Sequence, residues 1–234
     1  MGGSSRLAGR VLTPLARRKV PALAANLVRQ AFERAVDGVG PLRGAAASAD
    51  RKLARQGGDV DAAVKTLIES HVRMAGAEGF VTNLGGAALL PVTIPSSISG
   101  LALLECHLVA GIAHLRGYDL ADPRVRNAVL ATMLGEDTVR SLVRRKKLPS
   151  SPMAIATAPA YDENLDRRIA TEVAAEMIGR IAGKRTVAVV GRRTPIIGGG
   201  VGAVADAYAT YQTGRYAARE LIARGRPGKD ARNR

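Results

Sequence analysis

Between Gly79 and Leu115 the chain runs for 37 residues with one charged side chain, Glu105. A stretch that long and that apolar must be buried in a core or lie in lipid. It does not read as one membrane-spanning helix. Pro91 and Pro95, followed by Ser96, Ser97 and Ser99, interrupt it, and proline inside a helix removes a donor and crowds the preceding turn. The piece after the prolines, residues 98–115, has 18 residues. That length is about enough to span, but Glu105, His107 and His114 are expensive in hydrocarbon. The N-terminus lacks an uninterrupted apolar segment, because Arg6, Arg10, Arg17, Arg18 and Lys19 divide it, so it does not read as a secretion signal.

The flanks of the apolar run are cationic. Residues 1–55 carry 11 Lys+Arg against 3 Asp+Glu, and residues 144–234 carry 18 against 8. The middle carries 6 against 9, and the whole chain is +15. A chain basic at both ends and apolar between them points first to an anionic membrane surface and second to nucleic acid. The chain has no Trp and only two Phe, so platforms for stacking bases or sugars are scarce. No recognition helix stands out either, which counts against nucleic acid. One cysteine, Cys106, excludes an internal disulfide and a zinc site built on several thiolates, and it suits a reducing cytoplasm.

Periodicity predicts an all-α fold in a single compact domain. Residues 1–20 read as a mobile basic arm, 21–224 as the helical domain, and 225–234 as a disordered basic tail. Pro21 is a helix start, with the helix ending at Asp37-Gly38 and Gly40-Pro41. Asp59 caps a helix over 60–77, in which Val64, Leu67, Ile68, Val72 and Ala75 recur at helical spacing. Residues 79–90 read as a loop or short helix. Ser96 or Ser97 then caps an apolar helix to Leu115, stopped by Gly117. Asp122-Pro123 opens a helix to Leu134, and a short helix follows from Glu136 to the basic cluster at 144–147. Residues 148–160 read as a linker, 162–182 as an amphipathic helix, and Thr194-Pro195 as the start of a last helix to about Arg224. No hairpin signal stands out, and the strand candidate Thr186–Val190 has nothing to pair with.

Several clusters could carry chemistry. Gly198, Gly202, Asp206, Thr210 and Gly214 fall every fourth residue, with Gly199, Ala203 and Ala207 beside them. Small residues at this spacing let helices approach closely. A phosphate cradle would need a preceding strand, which is missing. Two tightly packed Gly/Ala-rich apolar helices, 79–115 and 195–215, are therefore expected. Asp206 needs a partner there, and the histidines of the other apolar helix or a backbone amide are the choices. His107 and His114 share a face two turns apart, about 10 Å, too far for one metal ion. Glu105 lies about 160° around the helix from His107 at 100° per residue. Buried polar pairs are favoured over a metal, and no cofactor or catalytic residue is assigned. Asp162-Glu-Asn-Leu-Asp166 reads as a helix cap. Glu105, His107, His114, Asp206 and Tyr208 are the candidates for lining a ligand cavity. Arg17, Arg18, Lys19, Arg144, Arg145, Lys146, Lys147, Arg192 and Arg193 are the candidates for touching a membrane surface, each worth about 1 kcal/mol when well placed.

Three stretches carry a resemblance. They are Glu78-Gly-Phe-Val-Thr-Asn-Leu-Gly-Gly through Leu90-Pro-Val-Thr-Ile-Pro95; His107 through Ala113-His-Leu-Arg-Gly-Tyr-Asp119 with Asp122-Pro-Arg-Val-Arg126; and Pro195-Ile-Ile-Gly through Tyr216. Together they resemble the EcsC family over roughly residues 60–220, with Asn83 where that pattern would have glycine. The resemblance implies a helical, membrane-associated bacterial protein and supplies no catalytic residues. The expected function is non-enzymatic: peripheral association with the cytoplasmic face of the membrane, or binding of a lipid-like ligand, with a membrane transporter as a candidate partner. An enzyme acting on a hydrophobic substrate is the alternative, and it requires Glu105, His107, His114 and Asp206 to converge on one pocket. Nucleic-acid binding through the basic ends is the second alternative.

Overall fold

The computed structural model describes the backbone of residues 14–84, 90–190 and 195–223, and the side chains of 25–77, 100–179 and 203–223. Among these residues the fold is all-α apart from one small hairpin. Helix α1 spans Pro14–Asp37. It starts a proline earlier than periodicity predicts and runs through Pro21. Pro14 sits at the first helical position, where its missing N–H costs nothing. The residues between the two prolines include Leu, Ala, Arg and Lys, all good helix formers. The expected boundary of the basic arm at residue 20 therefore falls inside a helix. The arm's first 13 residues and the tail 225–234 lie outside the described residues.

Strands β1 (Gly38–Val39) and β2 (Leu42–Arg43) pair antiparallel, with Gly38 opposite Arg43 and Val39 opposite Leu42. Gly38 and Gly40 have φ of +93° and +55°, values that favour glycine. This hairpin corrects the expectation of none. Two-residue strands are too short to show the alternation that marks a strand in sequence. Helix α2 (Ala45–Arg55) follows at once, then α3 (Val60–Leu84). Asp59 caps α3 as expected, its Oδ1 accepting from the Ala62 amide at 3.0 Å.

Helix α4 (Leu90–Leu115) takes in both prolines and both serines, so the expected break at Pro91 and Pro95 does not occur. Pro91 lies in the first turn, where amides have no intrahelical partner, and Pro95 costs one bond near the helix start. From Leu101 onward α4 is the centre of the core. Ala102, Cys106, Leu108, Val109, Ile112 and Ala113 are fully buried, and α1, α2, α3, α5 and α9 all pack on it. Each large apolar side chain buried this way contributes about 1.5–3 kcal/mol.

Four further elements complete the main chain path: α5 (Pro123–Met133), α6 (Glu136–Arg144), α7 (Pro152–Ala156) and α8 (Glu163–Val190). The Asp122 carboxylate caps α5, accepting from the Arg124 amide at 2.8 Å. Asp162 caps α8 through the Asn164 amide at 2.8 Å, and Asp166 pairs with Arg29 at 2.9 Å, so the acidic cluster there is structural. Helix α8 carries on through Thr186–Val190, the unpaired strand candidate.

Helix α9 (Pro195–Glu220) makes its most extensive contact with α3. A methyl placed on Gly76 of α3 would lie 3.7 Å from the Ala207 Cβ. One placed on Gly214 would lie 2.9 Å from Ile68 and 3.3 Å from Leu108. The small-residue stripe therefore does permit close approach, but its main partner is α3 rather than α4. Among the described residues no helix is long and apolar enough to cross a membrane.

Candidate functional site

The hairpin, α2, α3 and α4 meet around an open cavity of about 540 Å3. Its walls carry Arg43 from β2, Arg51 and Lys52 from α2, and Arg73 from α3, with Ser48 and Ser70 between them. Among the described residues no Asp or Glu lines it. None of the four cations forms an ion pair among the described residues. Burial holds the Lys52 ammonium below its usual value, and the neighbouring charges of Arg55, Arg73 and Arg51 push the same way. Lys52 is partly buried while Arg43, Arg51 and Arg73 are exposed; like charges side by side repel, and a bound anion would relieve that repulsion.

His71 of α3 and His107 of α4 also line the cavity. Both are 1% exposed. His71 Nδ1 lies 2.8 Å from the Leu67 carbonyl oxygen, one turn back on its own helix. His71 Nε2 lies 2.8 Å from His107 Nδ1. His107 Nε2 lies 2.9 Å from the Arg43 carbonyl oxygen. The rings are stacked, 5.0 Å apart at 30°. Burial pushes the His71 proton affinity down to about 3, and His107 and Lys52 add to this against the pull of the Leu67 carbonyl. Burial also lowers His107, and Lys52 lowers it further against the pull of the Arg43 carbonyl.

Two glycines set this geometry. A side chain on Gly111, one turn after His107, would put its Cβ 2.8 Å from Leu67 Cδ2, so glycine lets α3 and α4 close enough for the rings to touch. Gly44 precedes α2, and a Cβ there would collide with the Val36 carbonyl oxygen. Its absence lets the hairpin fold back and aim the Arg43 carbonyl at His107.

Of the five residues expected to line a ligand cavity, this one takes only His107. His114 lies on the same face of α4, as its spacing requires, but Nε2 meets Asp50 of α2 at 2.9 Å near the surface. Glu105 is fully buried on another side of α4. Asp206 is buried at the α9 interface. Of the histidines expected as its partners, His107 spends both ring nitrogens on His71 and the Arg43 carbonyl, and His114 turns its Nε2 to Asp50. Tyr208 is 61% exposed, and its hydroxyl accepts from Gln212 at 2.7 Å. The convergence that the enzyme reading requires is therefore missing from this cavity. Among the described residues no group of three His, Cys, Asp or Glu could hold a metal ion.

Of the surface cations, Arg144 at the end of α6 and Arg145, Lys146 and Lys147 just after it are exposed, and Lys147 reaches Glu172 at 3.0 Å. Arg17, Arg18 and Lys19 lie on α1, with side chains outside the described residues. Arg192 and Arg193 lie outside them altogether. Sequence reasoning missed His71, Arg43, Arg51, Lys52 and Arg73. His71 was open to discovery, since it sits one turn after Leu67 on the apolar stripe of α3, where an imidazole needs a buried partner.

Comparison with curated proteins and with solved structures finds no match. Residues 15–224 match the description "EcsC protein family". The match covers most of the chain, agrees with the all-helical fold and with the three stretches that resemble the family, and so the protein belongs to the EcsC family.

Proposed function

We propose that this protein is a non-enzymatic, peripheral membrane protein that holds an anionic, lipid-like ligand by its head. One observation carries the reading: a cavity walled by Arg43, Arg51, Lys52 and Arg73 with no carboxylate among its described lining residues. Arg29, Arg116, Arg124, Arg140 and Arg219 each reach an acid, whereas these four cations share one concave site with no ion pair among the described residues, an arrangement that suits an anion from outside. The exposed cations at 144–147 suit the surface of a leaflet rich in anionic lipid. Val204, Tyr208 and Tyr211 are exposed on one side of α9. Tyrosine suits the boundary between headgroups and acyl chains. A cytoplasmic-face location and an accessory role beside a transporter fit this reading.

The test is flotation of the full chain with vesicles. At low salt the protein rises with vesicles containing phosphatidic acid and stays behind with pure phosphatidylcholine, and salt weakens the association. Failure to rise with the anionic vesicles would overturn the proposal.

A further inference from the structure

Four nitrogens and two oxygens stand in a row: the Leu67 oxygen, the two ring nitrogens of His71, the two of His107, and the Arg43 oxygen. The three contacts along it measure 2.8, 2.8 and 2.9 Å. A carbonyl oxygen only accepts, so each outer nitrogen needs a proton to form its bond. The central nitrogen–nitrogen contact needs one more. Three bonds need three protons, and two neutral imidazoles carry two. In the neutral pair one contact therefore sets lone pair against lone pair. Only a pair with three protons and a single positive charge satisfies all three contacts.

Two effects oppose that third proton. Both rings are buried, which penalises charge. Among the described residues, the charged groups facing them are all positive: Arg51 and Lys52 from α2, Arg43 from β2, and Arg73 from α3 itself. Helix α4 adds only His107 to the lining, and α1 and α9 add nothing. An anion among the four cations would cancel the repulsion and attract the missing proton. Three guanidinium forks and the hydroxyl of Ser48 are donors suited to a tetrahedral oxyanion, while Ser70 spends its proton on the Leu67 carbonyl at 2.8 Å.

We infer that the cavity binds a phosphate-type dianion, and that binding it delivers a third proton from solvent to the His71–His107 pair. This rests on reading the cavity as an anion site and goes beyond it by naming the group and the proton. Free phosphate and the phosphomonoester head of a lipid present the same chemistry. The anion raises the pair's proton affinity, so anion affinity rises as pH falls. With one linked proton the limit is about tenfold per pH unit.

The experiment uses the full chain and sulfate, which stays dianionic from pH 5 to 8. Calorimetry in two buffers of different ionisation heat counts protons, and nitrogen-15 spectra of the imidazoles locate them. We expect sulfate to bind with net proton uptake, and the His71 and His107 nitrogens to move toward the imidazolium range. No sulfate binding, or binding without proton uptake, overturns the inference. His107→Gln should bind sulfate without taking up a proton. Should that variant not fold, Arg51→Gln on the exposed face of α2 leaves the pair intact. It should need several-fold more sulfate to produce the same imidazole shift, and an unchanged sulfate dependence counts against the site. Inorganic phosphate and vesicles of phosphatidic acid separate the two sources. If phosphate competes with sulfate and the vesicles do not, the inference stands with a soluble ligand and the lipid reading falls. If the vesicles bind without proton uptake, the lipid reading stands and the inference falls.

Discussion

Two sets of arginines in this molecule differ in where their charge goes. Around α5, α6 and α9 it is spent inside the fold. Arg124 lies 2.6 Å from Asp122 and also donates to the Ala158 carbonyl. Glu136 takes Arg140 and Arg219 together, at 2.5 and 2.6 Å. Around the cavity, Arg43, Arg51, Lys52 and Arg73 meet no carboxylate among the described lining residues. Both sets look alike in sequence, as scattered basic residues. The comparison teaches that net charge does not tell where charge is left unmatched; only the fold brings four such cations to one concave place.

The most severe way to break the contrast is to displace the cavity wall. Gly44→Ala drives a methyl into the Val36 backbone oxygen and should cost about 3 kcal/mol in chemical denaturation, at the upper end of overpacking effects. It should also abolish sulfate binding by moving Arg43. Acid acts next. His71 is held neutral in the fold, with its proton affinity depressed to about 3 from an ordinary 6.5. A depressed value means the unfolded chain binds more protons below pH 6.5. Stability is then full above that pH and declines as pH falls toward 3, by up to about 1.4 kcal/mol per pH unit for one histidine. Denaturation midpoints at pH 7.5, 6 and 5 check this, and His71→Phe should flatten the profile.

Charge reversal sharpens the contrast directly. Arg51→Glu with Lys52→Glu should weaken binding to anionic vesicles by tenfold or more, at roughly 1 kcal/mol per cation. Arg140→Glu with Arg219→Glu should leave vesicle binding within about twofold and show its effect on stability instead. The smallest effect is expected for Arg219→Ala, which frees one partner of an exposed pair and should cost under about 1 kcal/mol. A large loss of vesicle binding in that variant would erase the distinction between the two sets.

Much of the fold was legible in the chain. Asp59, Asp122 and Asp162 each cap the helix that follows, because a short carboxylate reaches the free amides of a first turn whatever lies beyond it. Gly117 ends α4 for an equally local reason, at φ +86°. The prolines misled, because their cost depends on how far they sit from a helix start. The hairpin was hidden by its length. The site was barely legible. His107 stood out, but its partner His71 is 36 residues away and the oxygen beyond it belongs to Arg43, 64 residues away.

The sequence by itself determined that this chain is helical, that residues near 101–115 must leave water for a core or lipid, that α9 can pack closely through small residues, and which family it belongs to. Those properties follow from spacing along one helix or from composition over a window, and both are local. Only the tertiary structure decided that α9 closes on α3, that His114 goes to the surface while His107 goes inside, and that four cations from three elements share one cavity. Those outcomes depend on how helices cross, which is set by glycines such as Gly111 and Gly44 and by contacts between residues far apart in the chain. Periodicity along one helix fixes the face that a side chain occupies, and only the crossing of helices fixes what it faces.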